Sequence, residues 1–360
     1  MKKIAFLLPV CERTPGGGSK VMFEYANYFA NNGYIVTIYF CAWNLGNKKW
    51  IPKVIQRILA KTIVKIRPRW FKLHKNIRKK AIFSISDNEI EDNDVLITTH
   101  VSTIRSVSKL NKSKGIKINL IQGLENWNVS DDELFETYRL GLINVAVASW
   151  IAKIVEDKSG NRCEYVSNGI DTTIFKEILP VEERNPHSII FHYREVPIKG
   201  CKYALKTLDL LSNKYKDLQV TVIGNSVKSK EISDKYNYVY NVTAKEVAKL
   251  NNNAAIFMCS TIEEGFGLPG LEAMACGCAL VTTDYLGGKE YAKNNINALI
   301  SPVKDYETMA QNIEILMNDN KKRIEIAKNG IEDAKSHSVL NSAQKLERII
   351  LKNLENISKE

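Results

Sequence analysis

Two glutamates flank a glycine-rich turn in the last third of the chain. Glu264 and Glu272 are separated by seven residues, and Gly265, Phe266 and Gly267 lie between them. Glycines let the backbone approach a ligand closely, and the N–H groups at the start of a following helix attract an anion. A carboxylate accepts two hydroxyl donors at once. The pattern therefore favours a ligand that carries both phosphate and hydroxyl groups.

Two cations form a second candidate group. Arg194 and Lys199 follow an apolar run that ends at His192, and an amphipathic stretch starts at Lys202. A forked guanidinium and a compact ammonium are side chains suited to binding an anion. Isolated loop cations are usually only solvated, so this interpretation depends on their position in the wider pattern.

Short apolar runs alternate with amphipathic stretches along the chain. This alternation predicts parallel sheets with helices on both faces, and 360 residues exceed the usual size of one hydrophobic core. Ligands bind such sheets at the carboxyl ends of the strands, where both candidate groups fall. The predicted strands are residues 4–10, 35–41, 95–98, 116–121, 143–148, 188–192, 219–224, 238–240, 254–258 and 279–283, and the predicted helices include 20–31 and 202–211.

The expected fold class is therefore α/β, with two doubly wound domains. The first is predicted over residues 1–171 and the second over residues 172–337, with the boundary near the polar, proline-containing stretch 172–186. A closing helix over about residues 338–360 has apolar spacing and is expected to pack back on the first domain.

The segments around the two glutamates resemble glycosyltransferase family 4, retaining enzymes of the GT-B fold whose hallmark is this glutamate spacing. The resemblance implies two Rossmann-like domains facing across a cleft. It implies that Glu264 binds hydroxyls of the donor sugar and Glu272 binds the ribose of the nucleotide. Arg194 and Lys199 would clamp the donor diphosphate. The rest of the implied donor-binding turn comprises Gly265, Phe266, Gly267 and Leu268.

Three further segments follow the order of that family. The run from Gly16 to Gly18 resembles its glycine loop, which implies that Gly17 and Gly18 approach the donor phosphate and the acceptor. The run lacks the G-x-G-x-x-G spacing of a dinucleotide site, which argues against a dehydrogenase. Asn168 to Asp171 resembles the segment that closes the first domain, and Gly287 to Glu290 resembles a Gly-Gly-x-x-Glu segment with one residue fewer.

Polar residues after two strands of the first domain are candidates for binding sugars. His100 resembles the histidine that contacts the transferred sugar in the family, so it joins Arg194, Lys199 and Glu264 as a candidate catalytic residue; a loop histidine without a role is the alternative. Two residues that follow the strand at 116–121 are expected to face the acceptor, namely Gln122 and Glu125.

The resemblance implies that cationic side chains position the diphosphate without a bound metal, so no metal is predicted. No cofactor is predicted either, because the nucleotide-diphosphate sugar is a co-substrate. Asp92 and Asp94 spell the D-x-D of metal-dependent transferases, but a turn before a strand explains them, and the acidic run 131–133 indicates the first turn of a helix. The seven cysteines are scattered without zinc-like spacing and are expected to be reduced and mostly buried.

The net charge of +11 arises from one segment. Residues 48–80 contain thirteen Lys or Arg and no Asp or Glu, and apolar residues at helical spacing over 54–66 predict a basic amphipathic helix. Such helices lie on anionic membranes; the alternative is an apolar face packed on the core with a solvated basic face. Nucleic-acid binding is not expected, because no recognition motif accompanies the charge. No run approaches the roughly 20 apolar residues of a spanning helix, so a cytoplasmic protein, peripheral at the inner face of the cell membrane, is predicted.

The leading hypothesis is transfer of a hexose from a nucleotide sugar to a saccharide or lipid-linked saccharide, in cell-surface polysaccharide or glycolipid synthesis. A sugar-nucleotide epimerase and a regulatory protein that binds nucleotide sugars without turnover are alternatives. A membrane- or RNA-binding module built around residues 48–80 is a third.

Overall fold

The computed structural model describes residues 1–43, 45, 51–127 and 129–357. The chain divides into two compact units. Unit 1 comprises Met1–Ser167 and Ser342–Glu360, and unit 2 comprises Asn168–Asn341. In this division the polar stretch near the predicted boundary belongs to unit 2, and most of the closing helix belongs to unit 1.

Unit 1 is built on a seven-stranded parallel sheet in the order β3-β2-β1-β4-β5-β6-β7. The central strands are buried along almost their whole length, as expected for a sheet covered on both faces. Its first elements are β1 (Lys3–Leu8), α1 (Gly17–Asn31), β2 (Ile35–Cys41), α2 (Lys53–Ile66), β3 (Arg78–Ile82), β4 (Val95–Thr98), α3 (Val101–Ser108), β5 (Ile116–Ile121), α4 (Asp131–Thr137), β6 (Ile143–Ala146), α5 (Ser149–Ser159) and β7 (Cys163–Tyr165).

Unit 2 is built on a six-stranded parallel sheet in the order β10-β9-β8-β11-β12-β13. Its core combines apolar side chains from the strands with those of α6 and α9. The elements are β8 (Ser188–His192), α6 (Cys201–Lys214), β9 (Gln219–Gly224), β10 (Asn237–Tyr240), α7 (Ala244–Asn252), β11 (Ile256–Cys259), α8 (Leu268–Ala275), β12 (Ala279–Thr283), β13 (Ala298–Ser301), α9 (Tyr306–Asn318) and α10 (Asn320–Ser336).

The last helix, α11 (Val339–Ile357), returns to unit 1. Its Glu347 carboxylate accepts hydrogen bonds of 2.6 Å from the hydroxyls of Tyr28, in the last turns of α1, and Tyr34, in the connection between α1 and β2. Its apolar residues Ala343, Leu346 and Ile350 are fully buried. The helix is therefore held by both apolar burial and directed polar contacts.

The proline-containing stretch before β8 is packed into unit 2. Arg184 is only 3 % exposed, and its guanidinium donates to the carbonyl oxygens of Leu179, Ala254 and Cys276. A buried guanidinium needs such partners, because an unpaired buried charge is strongly unfavourable. This stretch therefore behaves as part of a domain core, which its polar composition did not indicate.

The predicted fold class, two doubly wound α/β domains, is confirmed. Most predicted strands match within two residues, whereas β3, β7 and β13 were not predicted. β3 has the sequence Arg-Lys-Lys-Ala-Ile and lies at an edge of its sheet, where charged side chains are favoured over apolar ones. Helix α1 begins at Gly17, three residues before the predicted start at Lys20.

Candidate functional site

The strand order of unit 2 reverses between β8 and β11, which are adjacent in the sheet although separated in sequence. Loops that leave neighbouring strands in opposite directions open a crevice at their carboxyl ends. Arg194 and Lys199 follow β8, and Glu264 follows β11. The fold therefore brings the predicted cations and the first predicted glutamate to this switch point.

Lys199 and Glu264 are in direct contact. The Lys199 Nζ lies 2.9 Å from Oε1 of Glu264, and both side chains are about one quarter exposed. The two loops are also joined through their backbones, because the Ile198 carbonyl oxygen accepts from the N–H of Ile262 at 2.8 Å. The Ser260 hydroxyl donates to the Lys199 carbonyl oxygen at 3.1 Å. These contacts fix the position of the ion pair relative to the sheet.

Arg194 is partly buried beside that pair. Its Nη1 donates to the carbonyl oxygens of Tyr193 and Ile223, at 2.9 and 3.2 Å. Burial lowers the pKa of Arg194, and the negative charge of Glu264 opposes that effect. Nε and Nη2 have no hydrogen-bond partner among the described residues, so this edge of the guanidinium can receive an anion.

The glycine-rich turn leads from Glu264 into α8. Gly267 has φ +98° and precedes the first residue of α8, Leu268, while Pro269 follows at the second helical position. Gly265 and Phe266 lie between Glu264 and Gly267, and the Phe266 ring is buried. Pro269 has no N–H, and the Gly270 N–H donates to the Gly267 carbonyl oxygen at 3.2 Å. The Leu268 N–H at the positive end of the helix dipole and the two loop cations could together hold a phosphate group.

Glu272 lies in α8 and is 8 % exposed. It was predicted to contact ribose, and the structure places it on the helix that starts at the glycine turn. The segment from Gly287 to Glu290 forms a single helical turn beside that loop. A Cβ atom on Gly287 would lie 2.4 Å from the Glu264 carbonyl oxygen, so only glycine permits this close approach.

His192, which sequence reasoning did not single out, ends β8 next to Arg194. Burial and the neighbouring guanidinium lower the pKa of His192 from 6.5 to about 3. Its ring packs edge-on against Phe257, and its buried Nε2 has no hydrogen-bond partner in the described part of the chain. The imidazole is therefore neutral at physiological pH. No spacing rule would have found it, because its behaviour follows from burial.

Unit 1 has its own switch point, between β1 and β4. Gly17 and Gly18 form the first turn of α1, after β1, and both are exposed. Gln122, after β5, donates from Nε2 to the Gly18 carbonyl oxygen at 3.1 Å and to the Thr99 hydroxyl at 3.2 Å. The predicted glycines and Gln122 are thus brought together at the carboxyl edge of this sheet.

His100 and Glu125 lie at the start of α3. His100 has φ +81°, an unusual conformation for a residue with a side chain, and its ring accepts from the Ser102 N–H at 3.3 Å as the helix cap. Glu125 accepts from the Val101 N–H at 2.6 Å. Burial raises the pKa of Glu125, and His100 opposes this increase. A carboxyl group with a raised pKa beside an imidazole can exchange hydrogen bonds with hydroxyl ligands.

Glu12 is a further carboxyl group at this edge that sequence reasoning missed. It follows β1 and lies against Gly16, where a Cβ atom would be 2.3 Å from its Oε2. Burial raises the pKa of Glu12, while a hydrogen bond with Ser19 lowers it. The glutamate is preceded by no recognisable motif, and only the tertiary contact with the glycine loop reveals it.

The acidic runs form ordinary structural contacts. Asp92 pairs with Lys114 at 2.8 Å, and Asp94 accepts from the Lys3 N–H at 2.6 Å, directly before β4. Residues 131–133 form the acidic first turn of α4, as predicted, with Ser130 and Glu133 in a capping box. No group of three potential metal ligands occurs among the described residues. All seven cysteines are free, and six are buried.

The basic stretch 48–80 is described from residue 51 onwards. Lys48, Lys49 and Trp50 lie outside the described residues. The last three cations are in β3: Lys80 and Arg78 pair with Glu91, and Lys79 donates to the carbonyl oxygens of residues 65 and 67. These three cations therefore have partners within unit 1, while the predicted contact of residues 48–80 with an anionic membrane stays a prediction.

Helix α2 has an unusual distribution of side chains. Val54 and Ile58 are 70 % and 58 % exposed, whereas Ala60 and Val64 on another face are buried. The alternative in which its main apolar face packs on the core is therefore wrong for this face. Further exposed apolar side chains of α2 are Ile55, Leu59 and Ile66.

Within the described part of the chain, each helix is either too short or too polar to cross a membrane.

Comparison with known families gives a match that covers the unit holding the ion pair. Residues 171–333 match the model of the family described as "Glycosyl transferases group 1". The chain is 35 % identical over 89 residues to the N,N'-diacetylbacillosaminyl-diphospho-undecaprenol alpha-1,3-N-acetylgalactosaminyltransferase of Campylobacter jejuni, covering 25 % of this chain and 24 % of that protein. It is 27 % identical over 146 residues to the capsular polysaccharide biosynthesis glycosyltransferase CapM of Staphylococcus aureus, covering 38 % of each. The chain thus spans well under half the length of these two relatives.

Solved structures resemble the whole chain. HepE of Anabaena, in complex with UDP and glucose, superposes with a TM-score of 0.74 at 12 % identity, covering 98 % of this chain and all of that one. TarM of S. aureus, in complex with Fondaparinux, alpha-GlcNAc-glycerol and UDP, gives 0.75 at 12 % identity, covering 97 % and all of the respective chains. At such identities the likeness shows the fold, and the predicted GT-B class is confirmed.

Proposed function

Since residues 171–333 match the glycosyl transferases group 1 family, we propose that the protein is a glycosyltransferase. It transfers a hexose from a nucleotide-diphosphate sugar to a saccharide or lipid-linked saccharide. The main support is the contact between Lys199 and Glu264 at the switch point of unit 2, with Arg194 beside it. In this proposal, the two cations bind the diphosphate and the adjacent carboxylate binds sugar hydroxyls, so one site holds both parts of the donor.

The chemistry follows from the donors and acceptors of these side chains. Lys199 has three N–H donors, so it can keep Glu264 as a partner and still donate to a phosphate oxygen. Arg194 offers its remaining N–H groups to the same diphosphate. As the bond between sugar and phosphate breaks, negative charge grows on the leaving diphosphate, and both cations stabilise it. Glu264 orients the sugar, and Glu272 the ribose.

The proposed reaction proceeds with retention of configuration and needs no metal. The support is the spacing of the two glutamates, which resembles retaining family 4 enzymes. Comparing the anomeric configuration of the product with that of the donor by proton NMR tests this point. An inverted product would reject it without rejecting transfer itself.

On the acceptor side, the proposal assigns Gln122, Glu125 and His100 to hydroxyls of the saccharide. The support is their common position at the carboxyl edge of the unit 1 sheet, with Gln122 touching the glycine turn. The names of the two curated relatives concern lipid-linked and capsular saccharides, and the proposed acceptor belongs to the same chemical class.

A peripheral position at the inner, cytoplasmic face of the cell membrane is also proposed. The exposed apolar face of α2 adjoins four cations spaced four residues apart, Lys53, Arg57, Lys61 and Lys65, all exposed. Apolar side chains can enter the lipid boundary while each cation near an anionic surface contributes about 1 kcal/mol. Co-sedimentation with vesicles of phosphatidylglycerol and phosphatidylcholine tests this assignment. The double variant Val54→Glu/Ile58→Glu should stay in the supernatant, whereas Ile315→Glu, at an exposed apolar residue of unit 2, should still sediment.

The donor assignment is tested by a thermal-shift screen against UDP, GDP, dTDP, ADP and their sugars, because a ligand of the folded state raises the melting temperature. One nucleotide should give a selective shift. Lys199→Ala should weaken its affinity about tenfold or more, and Lys202→Ala, at a neighbouring exposed lysine, should not. If no nucleotide or nucleotide sugar binds, the proposed function fails; conversion of the donor sugar without an acceptor would indicate an epimerase.

A further inference from the structure

Two buried tyrosines support the glycine turn from inside unit 2. Tyr285 and Tyr291 follow β12, on either side of the turn at 286–290, and each is only 2 % exposed. Their hydroxyl oxygens are 2.9 Å apart, and the Tyr291 hydroxyl donates to the Gly267 carbonyl oxygen at 2.7 Å. Neither residue belongs to the motifs that the sequence singled out.

The direction of the hydrogen bonds is determined by counting protons. A phenol has one O–H donor, and the Tyr291 proton is used for Gly267. Tyr285 must therefore donate to Tyr291, which gives a chain from Tyr285 through Tyr291 to the Gly267 carbonyl. In such a chain each hydrogen bond polarises the next, and the low dielectric of the interior strengthens them.

The chain of hydroxyls acts on one particular peptide group. Gly267 precedes α8, so its carbonyl belongs to the peptide that carries the first helical N–H, that of Leu268. In a trans peptide the C=O and N–H point in opposite directions. Holding the Gly267 carbonyl on the tyrosine side therefore aims the Leu268 N–H away from the buried pair.

The glycines of the turn depend on these hydroxyls. A Cβ atom on Gly267 would lie 2.0 Å from the Tyr285 hydroxyl oxygen, and one on Gly270 would lie 2.5 Å from that of Tyr291. The close backbone approach and the tyrosine pair therefore require each other. The Phe266 ring adds a contact with the Tyr291 ring, at 5.7 Å between centroids.

We propose that Tyr285 and Tyr291 are positioning residues for the donor, because their hydroxyl chain holds the Gly267–Leu268 peptide in the orientation that presents the start of α8 to the diphosphate. This proposal rests on the proposed function, since it concerns the same donor site. It adds two residues that touch no ligand and act through the backbone. Their effect falls on the donor and leaves the acceptor unaffected.

The test uses the full chain and the hydroxyl-deleting variants Tyr291→Phe, Tyr285→Phe and Tyr285→Phe/Tyr291→Phe. Tyr291→Phe should raise the Kd for the nucleotide sugar and the KM for the donor about tenfold, because the direct bond to Gly267 is lost. Tyr285→Phe should raise the donor Kd and KM only about threefold, because Tyr291 still donates to Gly267 but loses the hydrogen bond from Tyr285 that polarises it. KM for the acceptor should stay unchanged in every variant.

The double variant distinguishes a loss of donor positioning from a general loss of stability. Tyr291→Phe alone leaves the Tyr285 hydroxyl buried without a partner, whereas the double variant removes both hydroxyls, and so should melt at a higher temperature than Tyr291→Phe. Its donor affinity should nevertheless stay as low as that of Tyr291→Phe. Tyr236→Phe is the matched control, because this buried tyrosine of unit 2 has a hydroxyl that interacts with Ser212; it should leave the donor Kd unchanged.

If the wild-type protein binds a nucleotide sugar and the double variant binds it equally well, the positioning role is wrong and the proposed function stands. If the wild-type protein binds no nucleotide sugar and transfers no sugar, the proposed function itself fails. An equal rise in KM for donor and acceptor would also overturn the inference, because it would indicate a general loss of structure.

Discussion

The loops at the two switch points differ in how they are held. In unit 2 the loops after β8 and β11 are joined by the ion pair of Lys199 with Glu264 and by the Ile262 N–H donated to the Ile198 carbonyl. In unit 1 the glycine turn after β1 is joined to the neighbouring loop by the amide side chain of Gln122. The unit 2 loops are thus joined by a backbone hydrogen bond as well as by an ion pair between side chains, whereas the contact described in unit 1 depends on one side chain.

This difference is consistent with the two ligands that we propose. A nucleotide diphosphate has a fixed arrangement of charges, and a preorganised site binds it without first ordering its loops. A saccharide acceptor presents hydroxyl groups in varied positions, which side-chain donors and acceptors can follow. Under the proposed function, we therefore expect the unit 2 loops to be preorganised for the donor and the unit 1 loops to influence the choice of acceptor.

The largest effect on activity should come from substituting Glu264 in the unit 2 site. Glu264→Ala removes the proposed sugar contact and leaves Lys199 without its partner, so kcat/KM should fall about 1000-fold, or about 4 kcal/mol. Steady-state transfer assays measure this loss, and circular dichroism checks that the fold is intact. The neighbouring exposed residue provides a control: Glu263→Ala should keep activity within about twofold. Full activity in Glu264→Ala would remove the main support for the donor site.

The next largest effect should be a difference in stability between glycine substitutions in the unit 2 and unit 1 loops. Gly200 has φ +62°, and a Cβ atom there would lie 2.0 Å from the Ser260 carbonyl oxygen. Gly200→Ala should therefore lower the free energy of unfolding by about 3 kcal/mol. A Cβ atom on Gly17 would meet no other atom of the described residues within 4 Å, so Gly17→Ala should leave stability unchanged or raise it by up to about 1 kcal/mol. Urea unfolding measures both, and equal losses would contradict the comparison.

Stability should depend on pH through His192. Its pKa is lowered to about 3 in the folded protein, so between about pH 6.5 and pH 3 the unfolded state binds more protons than the folded state. The contribution of His192 to the free energy of unfolding is therefore fully present above the unfolded pKa of about 6.5. It decreases by about 1.4 kcal/mol per pH unit as the pH falls below that value. Between pH 7.5 and pH 5.5, His192→Phe should lose about 1.4 kcal/mol less than the wild type in urea titrations. Parallel losses would show that His192 is accessible to protons.

The smallest effect should come from substituting Gln122 in the unit 1 loops. Gln122→Ala removes the amide that joins the glycine turn to Thr99. We expect KM for the acceptor to rise about threefold, or about 0.7 kcal/mol, with the donor Kd unchanged. Acceptor titrations at saturating donor measure this. A larger effect on the donor than on the acceptor would reverse the assignment of the two regions.

Much of the donor site was predictable because it depends on local patterns. Glu264, Lys199 and Arg194 stand after apolar runs whose carboxyl ends meet at one edge of a parallel sheet. The resemblance to the motifs of family 4 then grouped the two cations with the glutamate. His192, Glu12 and the pair Tyr285 and Tyr291 were not predictable. Their roles depend on burial and on contacts with residues distant in sequence.

The sequence by itself determined the alternation of strands and helices, the two-domain α/β class and the chemical character of the glutamates, glycines and cations. These properties follow from periodicity and from side-chain chemistry, which are local. Only the tertiary structure decided which faces of α2 remain exposed, that Gly267 is held by a hydroxyl chain and that Arg184 is buried among carbonyl groups. Burial and hydrogen-bond satisfaction depend on neighbours that folding brings together, and a linear pattern carries no record of them.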